Sequence, residues 1–250
     1  MAIREMMKAL LIRVGIDQSK GGGLWNAPMD LRSRKFVYVP IVESYPIRPR
    51  FGKTYNLCAE PLKALGSSLP PHLASAHMHL DPDFDYLTYG DQGQRAFQIQ
   101  SKLDSGDLLV FYAAFKDVRP TPRLIYALIG LFVIQTVQLA RSIPLSDQHK
   151  NAHTRRILND NAADIIVTGR PDLSGRLEES IPIGSFRSPI HAPAKRPSYR
   201  VERLTLAAWG GLSVSDGYIQ RSARLPEFLN ADLFYEWFLT RNIKLLARNN

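Results

Sequence analysis

Asp17 stands between an apolar run, Ala9 to Val14, and three successive glycines, Gly21-Gly22-Gly23, which Trp25 and Asn26 follow closely. A carboxylate at the tip of a buried strand, a backbone stripped of side chains, a stacking ring and a two-sided amide suit a pocket for a flat heterocycle. There Asp17 would act on water or on developing positive charge, Trp25 would stack, Asn26 would read a polar edge, and Lys20 would meet a phosphate. The same residues also describe an ordinary glycine-rich turn, and spacing alone leaves both readings open.

A second concentration of chemistry runs from His77 to Asp91, where Asp81, Asp83, Asp85 and Asp91 mix with His77, His79, Tyr86 and Tyr89. In an extended chain the H-x-H and D-x-D-x-D spacings put alternate side chains on one face. Three uses fit: His79 with Asp81 or Asp83 holding a divalent metal, Asp81 capping a turn, or the carboxylates orienting a substrate and moving protons. Tyr89 offers a further stacking ring. Beyond it, Asn151 and His153 sit in a polar stretch after His149-Lys150, suited to a base edge, a phosphate or a leaving group. Arg170, Arg176, Arg221 and Ser222 lie in or beside turns, and Arg and Ser make many of the backbone contacts to DNA.

The elements that must carry these residues follow from periodicity. Strands are expected at 9–14, 36–42, 108–115, 124–137 and 163–167, and helices at 93–103 and, with a break or two, 225–246. The stretch 106–123 reads as a hairpin with a long tip, Arg119-Pro120-Thr121-Pro122-Arg123. The segment 124–140 is the most apolar, but its 17 residues include Gln135, Thr136 and Gln138. That is short for a membrane span, so a buried strand leading into a short helix is expected. The aromatic stripe of Leu233, Phe234, Trp237 and Phe238 reads as core packing. Residues 182–197, rich in Pro, Arg and Ser, read as an exposed loop. Strands and helices alternate without a βα repeat. One domain over 1–250 is therefore expected, α/β or α+β, with a central mixed sheet flanked by helices.

With 250 residues, 45% of them hydrophobic, the chain can bury a large core. Thirty-two Lys and Arg against 23 Asp and Glu give a net charge of +9, which favours a polyanionic partner. The charge is uneven, +6 over residues 1–80 and −3 over 81–120. An acidic island between basic stretches suits an enzyme that holds a polyanion by its flanks. Cys58 is the single cysteine, so no internal disulfide and no cysteine-based metal site is available. That usage and the absence of a signal-like start point to a cytoplasmic protein. No P-loop, dinucleotide fingerprint, H-E-x-x-H or G-x-S-x-G occurs, which removes the usual support for kinases, dinucleotide oxidoreductases, zincins and serine hydrolases.

Taken together, several motifs carry a family resemblance. They are R-V-G-I-D at 13–17 with the glycines and W-N-A-P at 25–28, F-V-Y-V-P-I at 36–41, H-L-D-P-D-F-D-Y-L-T-Y-G-D at 79–91, G-D-L-L-V-F-Y-A at 106–113, and W-G-G-L-S-V-S-D-G-Y-I-Q-R-S-A at 209–223. The chain resembles the DNA base hypermodification proteins, the third type of nucleotide modification associated domain, over nearly its whole length. It departs from the expected Gly-Gly-Trp by one extra glycine and Leu24. The strand ending in Gly15-Ile16-Asp17 and its loop are also similar to the water-activating loop of the uracil-DNA glycosylase superfamily. By that likeness Asp17 would orient the attacking water and Trp25 or Asn26 would touch an extruded base; His153 and His191 are the candidates for that superfamily's histidine. Gly106-Asp107 and the strands after it resemble parts of PUA and EVE barrels, which read modified bases without catalysis.

These resemblances imply DNA with modified bases as partner and a glycosylase acting on a flipped, bulky base such as glucosylated hydroxymethylcytosine, in phage defence. Asp17 leads as the catalytic carboxylate, with Asp81, Asp83 and Asp85 as rivals. Hydrolysis needs no cofactor or metal, and no membrane or obligate protein partner is implied. The alternatives are an enzyme that installs the modification and a non-catalytic reader.

Overall fold

The computed structural model describes residues 6–120, 123–189, 197–220 and 222–250. The chain begins with β1 (Ala9–Arg13), β2 (Ala27–Met29) and β3 (Ile41–Val42), then α1 (Ala59–Ala64) and β4 (Met78–His79). There follow β5 (Thr88–Asp91), α2 (Gly93–Lys102) and the long hairpin of β6 (Leu108–Asp117) and β7 (Leu124–Leu139). After α3 (Ala152–Arg155) come β8 (Ile165–Gly169), β9 (Gly175–Pro182), β10 (Gly184–Arg187) and β11 (Ser198–Val201). The chain closes through α4 (Arg203–Ala208), α5 (Ala231–Leu239) and β12 (Leu245–Leu246).

β6 and β7 are the spine of a mixed sheet running β1-β6-β7-β8-β5, with β2 also on β6 and β9 bridging β7 and β12. β1 and β2 run parallel to β6, whereas the β6–β7, β7–β8, β7–β9 and β5–β8 pairs are antiparallel. Alternating side chains of β6 feed two apolar layers: Leu109, Phe111, Ala113 and Phe115 enter one, Leu108, Val110, Tyr112 and Ala114 the other. Ala96 and Ile99 of α2 close the first layer, and Phe234 and Phe238 of α5 the second.

The partner strand does not keep one alternation. Ile125, Ala127 and Ile129 face the first layer, but beyond Gly130 it is Phe132 and Ile134 that do. The ladder shows why: Tyr112 pairs with Leu128 and Phe111 with Gly130, so Ile129 is an extra residue, a β-bulge. Gly130 is obligatory beside it, because an added Cβ would lie 2.6 Å from both the Phe84 ring and the carbonyl of Gly175. Phe84 uses that gap. Its ring meets Tyr38, Phe111 and Phe132 edge-on at 5.6, 5.9 and 5.7 Å, anchoring the acidic segment to the core.

The expected strand at 36–42 is mostly extended chain without a ladder. Pro40 has no N–H, and the backbone of Tyr38 is taken by the side-chain amide of Asn250. The expected helix at 225–246 shrinks to α5, which starts where Asn230 Oδ1 accepts from Leu233 N at 2.9 Å. It stops before Asn242, whose positive φ of 49° turns the chain into β12. Residues 182–197 are not simply an exposed loop, since Ile183 is buried and β10 pairs with β11. His191 and the rest of 190–196 lie outside the described residues.

Candidate functional site

The acidic segment is folded by its own short-range bonds. β4 pairs with β3 so that His79 opposes Ile41. A tight turn, with Asp83 and Thr88 exchanging backbone bonds at 2.8 and 3.0 Å, returns the chain as β5. Gly90 N then donates to both oxygens of Asp81, at 2.9 and 3.0 Å. Asn151 serves two elements at once: its Oδ1 caps α3 through His153 N at 2.8 Å, and its Nδ2 donates to Asp81 Oδ1 at 3.0 Å. The cap therefore fixes His153 and Asp81 relative to each other.

His79, Asp81 and His153 converge, all buried. Asp81 Oδ2 lies 3.7 Å from His79 Nε2 and 3.6 Å from His153 Nε2, and the two rings meet edge-on at 5.0 Å. Each imidazole is backed by a further carboxylate, His79 Nδ1 by Glu43 Oε2 at 2.7 Å and His153 Nδ1 by Asp164 Oδ2 at 2.6 Å. Arg156 braces this outer ring. Its Nε and Nη2 each reach Glu43 Oε1 at 3.0 Å, Nη2 also lies 3.1 Å from His79 Nδ1, and the guanidinium covers the Tyr45 ring at 4.2 Å.

Burial dominates the electrostatics. It holds His79 down to about 4, and so neutral, against the opposing pull of Glu43. It pushes Asp81 well above the usual carboxylate range, opposed by Gly90 and Asn151. Glu43 goes the other way: burial would raise it, but the bonds from His79 and Arg156 prevail and bring it to about 2.

The other acids and Tyr89 are occupied elsewhere. Asp83 is fully buried and receives Arg155 Nη2 at 2.5 Å and Asn249 Nδ2 at 2.9 Å. Asp85 is exposed and accepts Asn249 N at 2.9 Å. His77 is exposed beside Gly52, outside the cluster. Tyr89 is buried, donates to Asp91, accepts from Arg95 Nη2 at 2.7 Å and packs on Phe111, which leaves no ring face for a base.

Asp17 is buried too, but as a clasp. It pairs with Arg13 Nη2 at 3.0 Å, accepts from Ser19 N at 2.8 Å and from the Ser19 hydroxyl, and takes the space a side chain on Gly22 would fill. That is the physical reason for the glycine there. Trp25 and Asn26 line a separate cavity of about 240 Å³ with Lys116, Asp117 and Arg119, where the buried Asn26 Oδ1 has no hydrogen-bond partner among the described residues. Asp17 is not in that wall. A second cavity, of about 320 Å³, ends at Asn151 and Thr88, one hydrogen bond from Asp81. Lys150, Tyr86, Thr136 and Thr168 line it further out.

Of the expected phosphate contacts, Lys20, Arg170 and Ser222 are exposed, with Arg170 donating to Ser105 Oγ at 3.2 Å. Arg176 is a correction: it is buried over the Phe36 ring, donates to the carbonyls of Arg248 and Leu177, and is lowered to about 10 by that burial. Arg221 lies outside the described residues. Glu43, Asp164 and Arg156 were not singled out from sequence. None stands in a motif, Glu43 lying between Val42 and Ser44, Asp164 between Ala163 and Ile165 and Arg156 between Arg155 and Ile157, and only the fold brings Glu43 and Asp164 to the histidines.

No helix among the described residues is long and apolar enough to cross a membrane. No curated protein and no solved structure matches the chain, so the likeness of the Asp17 loop to the uracil-DNA glycosylase superfamily rests on its residues alone. A family model described as nucleotide modification associated domain 3 matches residues 8–230, a span that holds the glycine loop, the acidic segment and both clustered histidines. The chain belongs to the nucleotide modification associated domain 3 family.

Proposed function

We propose that the protein is an enzyme acting on a modified base in DNA, that His79, Asp81 and His153 form its reacting centre, and that the reaction is hydrolysis of the N-glycosidic bond. The observation that carries this reading is the convergence of two carboxylate-backed imidazoles on one pinned carboxylate. An imidazole whose Nδ1–H is held by a carboxylate presents a basic Nε2 in a fixed direction, the arrangement that serves general-base catalysis. Water gives its proton to His153 Nε2 and its oxygen to C1′. The C1′–N bond breaks, and the departing base nitrogen takes up the proton. Asp81 faces the positive charge that grows on the sugar as that bond lengthens.

Base flipping delivers the nucleotide. The 320 Å³ cavity is near the lower end of the roughly 300–1,000 Å³ typical of ligand pockets. Asn151, Thr88, Thr136 and Thr168 supply polar edges and the exposed Tyr86 a stacking ring at its rim. The family description supports nucleotide modification as the setting, and the net charge of +9 supports a polyanion. The test is purified protein with DNA carrying cytosine, hydroxymethylcytosine or glucosylated hydroxymethylcytosine, followed by assays for free base and alkali-labile sites. The expected result is release from a modified substrate, and a loss of roughly 10²–10³-fold in Asp81→Asn with DNA binding kept. Intact DNA of every kind in the wild-type reaction overturns the reading.

A further inference from the structure

Three ligand-type atoms, His79 Nε2, His153 Nε2 and Asp81 Oδ2, face one another at the heart of this cluster. The contacts of 2.7 and 2.6 Å to Glu43 and Asp164 require each Nδ1 to carry the proton, since two acceptors do not approach so closely. Each ring then turns its Nε2 toward Asp81 Oδ2. Separations of 3.6 and 3.7 Å are too long for hydrogen bonds. Three such atoms converging in a buried site without hydrogen-bonding one another suit a cation held between them.

We propose that His79 Nε2, His153 Nε2 and Asp81 Oδ2 bind a single divalent first-row transition ion. The donor atoms all lie within 4.8 Å of one another. Around an ion with bonds of about 2.1 Å, tetrahedral donors sit about 3.4 Å apart, so the two separations from Asp81 Oδ2, 3.7 and 3.6 Å, need contract by only a few tenths of an ångström. Two imidazoles and one carboxylate select such an ion over magnesium or calcium, and three protein donors leave positions open for water or substrate. Glu43 and Asp164 then have a second use. Carboxylates on the far nitrogens fix tautomer and ring direction in metal sites, and Arg156 holds Glu43 in place. Asp81 Oδ1 accepts from Gly90 N and Asn151 Nδ2, whereas Oδ2 accepts from Gly90 N alone, at 3.0 Å, and keeps a lone pair for the ion. With the ion bound, His153 Nε2 is a ligand and no longer the base: the ion lowers the pKa of its water, whose oxygen goes to C1′ and whose released proton goes to the departing base nitrogen. The site rests on donor geometry and does not depend on which reaction the centre catalyses.

The experiment uses the full chain, stripped with a chelator and titrated with Co(II), with uptake followed by visible absorption and by elemental analysis after desalting; parallel arms use Zn(II), Mn(II) and anaerobic Fe(II). The expected result is one ion per chain and imidazole-bound Co(II) absorption. Binding is lost in His153→Gln and Asp81→Asn, weakened about 10–100-fold in Glu43→Gln, and unchanged in the exposed His77→Gln. Circular dichroism and thermal melts of each apo variant separate loss of a ligand from loss of fold. Absence of uptake by folded wild type, or uptake unchanged in folded Asp81→Asn and His153→Gln, overturns the metal site. Base release without uptake sinks the metal and leaves the glycosylase reading intact; uptake without base release does the reverse.

Discussion

Asp81 and Asp83 are two residues apart and both buried, yet their surroundings give them different work. Asp83 meets a guanidinium face to face, so its charge is matched within the fold. Removing that partner leaves a buried carboxylate without its counter-charge, and Arg155→Met should cost about 3–5 kcal/mol in urea unfolding. Asp81 is held by the neutral donors Gly90 N and Asn151 Nδ2 and pairs with no guanidinium among the described residues, and its Oδ2, bonded to Gly90 N alone, is the oxygen turned to the histidines. Asp17 resembles Asp83 in being bonded to its own loop and to Arg13. Asp17→Asn should therefore lower stability by about 1–3 kcal/mol and keep any base release, whereas Asp81→Asn should keep stability and lose it. A comparison of the two variants by melting and product analysis decides between the carboxylates. The sequence marked all of these acids as candidates. It could not rank them, because the ranking depends on which side chains the fold sets beside each one, Arg13 from four residues away for Asp17 and Arg155 from far along the chain for Asp83.

At the scale of elements, β5 matters through a missing side chain. A Cβ on Gly90 would lie 2.4 Å from His153 Cδ2 and 2.7 Å from Asn151 Oδ1. Gly90→Ala should push His153 off its line to Asp81 at a cost of about 1–3 kcal/mol, with loss of Co(II) absorption as the local readout. The long elements were legible in the sequence. β1, β6, β7, β8 and α2 fall within about two residues of the periodic expectation, because each buries a continuous face. The short ones were not. β3, β4 and β12 have two residues each and no period to read, and α3 is one turn defined by the cap at Asn151. His79 and His153 ride on two of these illegible pieces. The candidate set was therefore visible as a list, while its assembly was hidden.

For the whole molecule, the excess of basic residues predicts how binding responds to salt. The logarithm of DNA affinity should fall linearly with the logarithm of salt concentration, at about 0.9 per phosphate neutralised on duplex DNA. Replacing Lys20, exposed beside the Asp17 clasp, with alanine should reduce that slope by about 1 without altering preference among bases. The sheet explains how the molecule keeps its two apolar layers in register. β6 alternates strictly, β7 slips at Ile129 and again against β8 between Ile134 and Thr136, and the first slip lets Phe84 reach the sheet through Gly130. Excising Ile129 would leave composition and charge pattern nearly intact. Every side chain upstream or downstream of the cut would nevertheless have to trade sides, sending Tyr126 and Leu128, or Phe132 and Ile134, into the wrong compartment. One codon at this point thus acts as a parity bit for the protein, and the segment that presents Asp81 is read out through it.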